Sequence, residues 1–157
     1  MANEIMKLEW NWTHLFAGLD KYAAGMILAS SDILKKIAMD GLGRMIEAAP
    51  IQTGLLRGSG TCHVAGELVQ ASSHPVTGGE IANPVIGELS GANGKSKTRT
   101  VLVWGFNTFY AAQVHENPNA GVRGGGPKYV ERILRENTER WMRYLAEQIK
   151  IAMAEKK

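Results

Sequence analysis

An α+β fold is what this sequence predicts, on three observations. Two long segments carry apolar residues at helical spacing, one in the first third of the chain and one at its end. The middle is glycine-rich and holds short runs of β-branched and aromatic residues. Helices flank the strands instead of alternating with them, which favours a small antiparallel sheet of about three or four strands over a parallel one. A length of 157 residues suits one domain, 1–157, with a core of its own.

The first helical segment runs from about Thr13 to Ala48. Leu15, Leu19, Tyr22, Met26, Ala29 and Ile33 recur every three or four residues, and Ile37, Leu42, Met45 and Ile46 extend the stripe less regularly. Thr13 suits an N-cap. Ser30-Ser31-Asp32 can recap the chain, so this is one long helix or two meeting near Ser31. Gly41 and Gly43 weaken the last turns, and Pro50 disfavours helix at the residue before it. Residues 1–12 form an N-terminal extension.

Strand candidates follow. "LLRGSGTCHV" (55–64) and "GELVQAS" (66–72) predict a hairpin with Gly66 near its turn, and "GEIANPVIGE" (79–88) a weaker edge strand broken by Pro84. "TRTVLVWGF" (98–106) is the strongest strand. The loops 87–98, with the polar "SGANGKSK", and 117–126 read as flexible. Between them "FYAAQVHENP" (109–118) predicts a short helix on the sheet, seated through Tyr110, Ala111 and Val114.

The last helix is expected to start near Pro127, which fits a first helical turn. Val130, Ile133, Leu134, Trp141, Tyr144, Leu145, Ile149 and Ala152 share one face. Glu131, Arg132, Arg135, Glu136, Glu139, Arg140 and Glu147 take the other, with Glu131/Arg135 and Glu136/Arg140 spaced for ion pairs worth only ~0.2–0.5 kcal/mol each.

Composition narrows the function classes. Hydrophobic residues make up 45% and charged ones 21%, ordinary for a globular chain. No apolar run nears the ~20 residues that span a bilayer, and "MANEIMKLEWNW" lacks the apolar core of a signal peptide. The single Cys62 makes no internal disulfide, so synthesis in the cytoplasm and no membrane partner are expected. A net charge of +3 with acids and bases interleaved is a solvated surface rather than a basic face for nucleic acid.

Four places carry chemistry worth weighing. His115–Glu116 has the residue types of a general base or metal site, but zinc wants further ligands and His14, His63 and His74 lie in other elements. Adjacent helical residues also diverge, which favours a structural or interfacial role for the pair. Cys62–His63 sit side by side on a strand and therefore point to opposite faces, so Cys62 reads as a small core residue. "GVRGGGPK" (121–128) departs from a phosphate loop, because Pro127 intervenes before Lys128 and Tyr129 replaces the hydroxyl residue. Trp10 and Trp12 fall on one side of an extended "LEWNW", to staple back onto the helices or to anchor a neighbouring subunit. No catalytic, cofactor or metal residue is expected.

Three blocks, in order, resemble a known family. "AAPIQTGLLRGSG", with Pro50, Thr53, Gly54, Leu55 and Arg57, resembles the APxDTGxLRxS signature of a tail-component family of tailed bacteriophages, also labelled minor capsid or neck proteins. "YAAQVHE", with Tyr110, Ala111, His115 and Glu116, resembles its YAxxVHE signature. "GGGPKYVERIL", with Pro127, Lys128 and Tyr129, resembles the Pro-Lys-aromatic turn that opens its final helix. The likeness covers roughly residues 20 to 155. Gln52 stands where the family often has Asp, and Asn117-Pro118 where many members have Gly-Thr.

The resemblance implies a virion structural protein at the head–tail junction, built in the host cytoplasm. It implies a homo-oligomeric ring between portal or connector and the tail or tail-terminator proteins, with a channel for DNA. Subunit contacts are then expected at Trp10, Trp12, Lys95, Lys97 and Arg123, on the segments Gly87–Thr98, Asn117–Gly126 and "LEWNW". A pair between Arg57 and Glu116 is expected if the first two signatures meet. Two other readings compete: an accessory nucleic-acid-binding protein using Lys95, Lys97, Arg99, Arg123 and Lys128, and a metal-dependent hydrolase around His115 and Glu116.

Overall fold

The computed structural model describes residues 23–75, 102–121 and 125–155, with side chains from residue 31 onward. The fold is α+β, with two long helices against a three-stranded antiparallel sheet. In chain order the elements are α1 (Ala23–Ala48), α2 (Leu55–Gly58), β1 (Gly60–Val64), β2 (Glu67–Ala71), β3 (Leu102–Phe106), α3 (Ala111–Glu116) and α4 (Tyr129–Ala154).

α1 is one continuous helix through Ser30-Ser31-Asp32, so the second cap allowed by those residues is not used. Ile33, Leu34, Ile37, Ala38, Leu42 and Met45 are buried along it. Thr13, Leu15, Leu19 and Tyr22 lie outside the described residues. The stretch expected to open the first strand differs: Leu55–Gly58 makes a single helical turn, and β1 starts at Gly60. Gly54 initiates this turn at φ 87°, where an added Cβ would stand 2.4 Å from the Pro75 carbonyl oxygen. Only glycine meets both conditions.

β1 is the central strand of the order β2-β1-β3. Ala65 and Gly66, both at positive φ, close the β1–β2 hairpin, the left-handed pair that matches strand twist. All five residues of β1 and of β3 are buried. Gly60, Cys62 and Val64 stand opposite Phe106, Trp104 and Leu102, and all but the glycine belong to the core cluster with α1 and α4. Cys62 is thus core, and burial pushes its thiol up to about 12, against ordinary thiols near 8.5. A bulge separates Cys62 from His63, whose imidazole burial holds below its ordinary value and so neutral. The segment 79–88 lies outside the described residues.

α4 packs antiparallel to α1, its start beside the end of α1: the Gly126 amide donates to the Ala48 carbonyl at 3.0 Å. It begins at Tyr129, near Pro127 as expected, with Lys128 at a left-handed φ of 54° in the cap position. Val130, Ile133, Leu134, Trp141 and Leu145 are buried, while Tyr144, Ile149 and Ala152 are half-buried. Neither Glu131/Arg135 nor Glu136/Arg140 forms an ion pair among the described residues. Lys128 takes Glu131 at 3.5 Å, Arg143 takes Glu139 at 3.1 Å, and Arg140 reaches across to Asp40 in α1. A cross-helix carboxylate that already holds two other donors outcompetes an exposed pair along one helix. No described helix is long and apolar enough to cross a membrane.

Two aromatic residues join the layers. The Trp104 indole N–H donates to the Ala38 carbonyl at 2.8 Å, and its ring stacks on Trp141 at 5.9 Å. Gly41 admits that ring, since a Cβ there would stand 2.9 Å from Trp104 Nε1. On the polar side of the same seam, Asp40 Oδ2 accepts from Arg44 Nε at 3.0 Å, from Trp141 Nε1 at 2.7 Å and from Arg140. Burial alone would push this carboxyl up; the hydrogen bonds from Arg44 and Trp141 and the Arg140 charge outweigh it and hold it below its ordinary range.

Glycine-to-alanine changes separate the two positions in α1. In an ordinary helix such a change adds up to about 1 kcal/mol. Gly43→Ala, with nothing within 4 Å, should raise the urea midpoint. Gly41→Ala should lower it by pushing Trp104 aside, and a Gly41→Ala protein as stable as the parent contradicts this packing.

The depressed Asp40 carboxyl predicts an acid limb. Its contribution to stability is full above the ordinary pKa of 3.8 and is lost as pH falls through the lower folded value. Melting temperature measured from about pH 5 down to about pH 2 should therefore fall more steeply for the parent than for Asp40→Asn.

Candidate functional site

Three stretches separated along the chain, around residues 50–57, 110–116 and 126–129, meet at the C-terminal end of α1. A helix leaves its last carbonyls without intrahelical donors, and its dipole favours a cation there. Arg57 supplies both needs. Its Nε donates to the Ala49 carbonyl at 2.9 Å and its Nη2 to the Glu47 carbonyl at 3.0 Å. Gly126, from the third block, takes the Ala48 carbonyl between them. The expected pair of Arg57 with Glu116 is therefore not formed: the guanidinium is committed to the end of the helix that Pro50 terminates.

α2 places Arg57. Thr53 Oγ1 accepts from the Leu55 amide at 3.3 Å, Gly54 turns the chain, and Leu56 is buried while Leu55 is only half-buried. The second block docks on this turn. The Tyr110 hydroxyl lies against Thr53, Thr108 and the Leu56 backbone, and burial pushes its pKa up. Ala111 is fully buried; Tyr110 and Val114 pack against the core, as expected for a short helix on the sheet.

The third block closes the junction. The Lys128 amide donates to the His115 carbonyl at 2.7 Å, and the Tyr129 hydroxyl to the Ala111 carbonyl at 3.2 Å. Tyr129 is fully buried, edge-on to Phe106 at 5.1 Å and to His115 at 5.0 Å. Burial pushes its phenol well above the ordinary value.

His115 and Glu116 do touch, although neighbouring helical residues diverge. α3 ends at Glu116, so its side chain folds back and Oε1 lies 2.8 Å from His115 Nδ1. Its other oxygen pairs with Lys128. Lys128 first, and His115 second, hold the Glu116 carboxyl below its ordinary value. The His115 ring is buried and Glu116 exposed, so the pair spans the surface with the imidazole turned inward.

The charged groups of the junction are thus engaged, Arg57 with helix carbonyls and Glu116 with His115 and Lys128. Among the described residues, no group of three or more His, Cys, Asp and Glu side chains is placed to hold a metal ion. The arrangement is a clamp that fastens α2, α3 and α4 to the end of α1. Trp10, Trp12, Lys95, Lys97, Arg99 and Arg123 lie outside the described residues, as does all of Gly87–Thr98. Asn117–Gly121 and Gly125–Gly126 of the other expected contact loop are described.

Sequence reasoning missed the Asp40–Arg140–Trp141 seam and the buried Asn137, whose Nδ2 donates to the Ile133 carbonyl at 2.9 Å. The i,i+4 spacing of Asp40 and Arg44 was a signal for the first; nothing local marks the second. The first two blocks also wall a groove of about 400 Å³, lined by Pro50, Ile51, Thr53, Leu56, Tyr110 and Val114. Comparison with family models, with curated proteins and with solved structures gave no match.

Arg57→Ala should cost about 1.5–3 kcal/mol in urea unfolding, the range for hydrogen bonds to charged groups. Arg57→Lys should recover little of it, since an ammonium has no fork to reach two carbonyls. A double-mutant cycle of Arg57→Ala with Glu116→Ala should be additive within about 0.5 kcal/mol. Strong coupling would place the two side chains in contact.

Proposed function

We propose that this chain is a structural virion protein of a tailed bacteriophage, acting at the head–tail junction as a subunit of a neck or tail-completion ring. The single observation that supports the reading is the convergence of the three signature blocks. Residues 50–57, 110–116 and 127–129 resemble one family in order, and in the fold they become neighbours in one clamp. A signature that recurs because it builds a fold should show this: side chains spent on helix carbonyls, on one another and on core contacts.

On this reading the protein is not an enzyme. It works by presenting surfaces to copies of itself, to the portal or connector above and to tail proteins below, with DNA passing through the ring. Head-to-tail contacts between identical subunits close into a ring when the rotation between them divides a full turn. A surface that mixes both signs of charge suits a channel that should not hold DNA tightly.

The test is to delete the coding sequence from the phage genome that carries it and inspect lysates by electron microscopy. DNA-filled heads beside separate, complete tails are expected. Normal infectious virions would overturn the reading and bring forward nucleic-acid binding, which a steep fall of DNA affinity with salt would then support.

A further inference from the structure

The groove beside the clamp is the feature that the clamp does not use. Its floor and walls are largely apolar, from Pro50, Ile51, Leu56 and Val114. Its size lies within the range of about 300–1,000 Å³ typical of small-molecule pockets, enough to admit an aromatic side chain. Phe109, next to the wall residue Tyr110 and edge-on to it at 5.1 Å, is 82% exposed. An apolar groove flanked by a solvated phenylalanine is a surface suited to a partner.

We infer that this groove receives the "LEWNW" segment, Leu8–Trp12, of a second copy of the chain. The inference rests on the assembly proposed above and names one of its contacts. Chemistry supplies the first argument. Extended, "LEWNW" turns Trp10 and Trp12 to the same side, and indoles combine a large apolar face with one N–H donor. Gln52 lines the groove, is exposed, and offers its side-chain carbonyl as an acceptor for that donor.

Reach supplies the second and separates a neighbour's groove from the chain's own. α1 spans 26 residues, ~39 Å, and the groove lies beyond its C-terminal end. Trp12 precedes Ala23 by about 11 residues, which extend at most ~36–40 Å. To fill its own groove the segment would have to lie fully taut along the whole of α1, and one helical turn in it would leave it short. Such tension costs conformational entropy that docking on a neighbour avoids. Each copy then gives an arm and receives one, a head-to-tail contact that can propagate around a ring.

The test uses the full chain carrying Trp10→Ala and Trp12→Ala, to which a fluorescein-labelled peptide of residues 1–16 is added. Saturable binding by anisotropy is expected, weakened about tenfold or more by Ile51→Asp in the protein or by the two Trp→Ala changes in the peptide. Ile51 is half-buried and outside the core cluster, so the variant should fold, which its circular dichroism spectrum is to check against the parent's. Affinity unchanged by either alteration overturns the inference.

A second measurement places a benzoylphenylalanine photo-cross-linker at position 12 and mixes ¹⁵N-labelled with unlabelled protein. Adducts joining labelled to unlabelled chains at residues 50–56 or 110–114 are expected, and adducts confined to single chains overturn the idea. If sedimentation shows the parent and the double-Trp variant assembling equally, the arm contact fails while the assembly reading stands. The phage deletion judges that reading separately.

Discussion

Trp104 is the contact on which the layers of this protein depend. It leaves the edge of the sheet, fills the space that Gly41 opens in α1, donates to the Ala38 carbonyl and stacks on Trp141 of α4. One side chain thereby sets the distance between sheet and helix and the rotation of α1 about its axis, and gives α4 a surface to pack on. Truncating such a residue ordinarily costs about 3–5 kcal/mol. Exposed ion pairs contribute about 0–1 kcal/mol each, so packing sets the architecture and charge adjusts it.

The Asp40 seam shows that adjustment. One carboxylate oxygen receives donors from its own helix and from two successive residues of α4. The apolar stripes of two helices can slide past each other by a turn with little change in buried area. A hydrogen-bonded carboxylate with three fixed partners has one register. Asp40 is half-exposed, so its role is alignment more than stability.

At the other end of α1 the same logic produces the clamp. The helix stops before Pro50, and its orphan carbonyls are taken by a guanidinium eight to ten residues on and by the Gly126 amide in the loop that leads into α4. The most conspicuous polar residues of the sequence, Arg57, His115, Glu116 and Lys128, are thereby absorbed into joining elements. That outcome makes the open surfaces beside the clamp the natural place for function. The groove between the first and second blocks is one of them.

Much of the fold was determined by local sequence. The apolar spacing of α4, the continuous apolar run of β3, the Ala-Gly hairpin turn and the core placement of Cys62 are written in neighbouring residues, because periodicity and turn chemistry act over a few positions. The tertiary structure decided the rest. Leu55–Gly58 became helical because a left-handed glycine and a threonine side chain started a turn there. Lys128, in the cap position of α4, reached for the His115 carbonyl and Glu116. Arg57 chose helix carbonyls over Glu116, and Arg140 chose Asp40 over Glu136. Each is a competition among partners distant in sequence, and only folding, by setting the distances, selects which donor meets which acceptor.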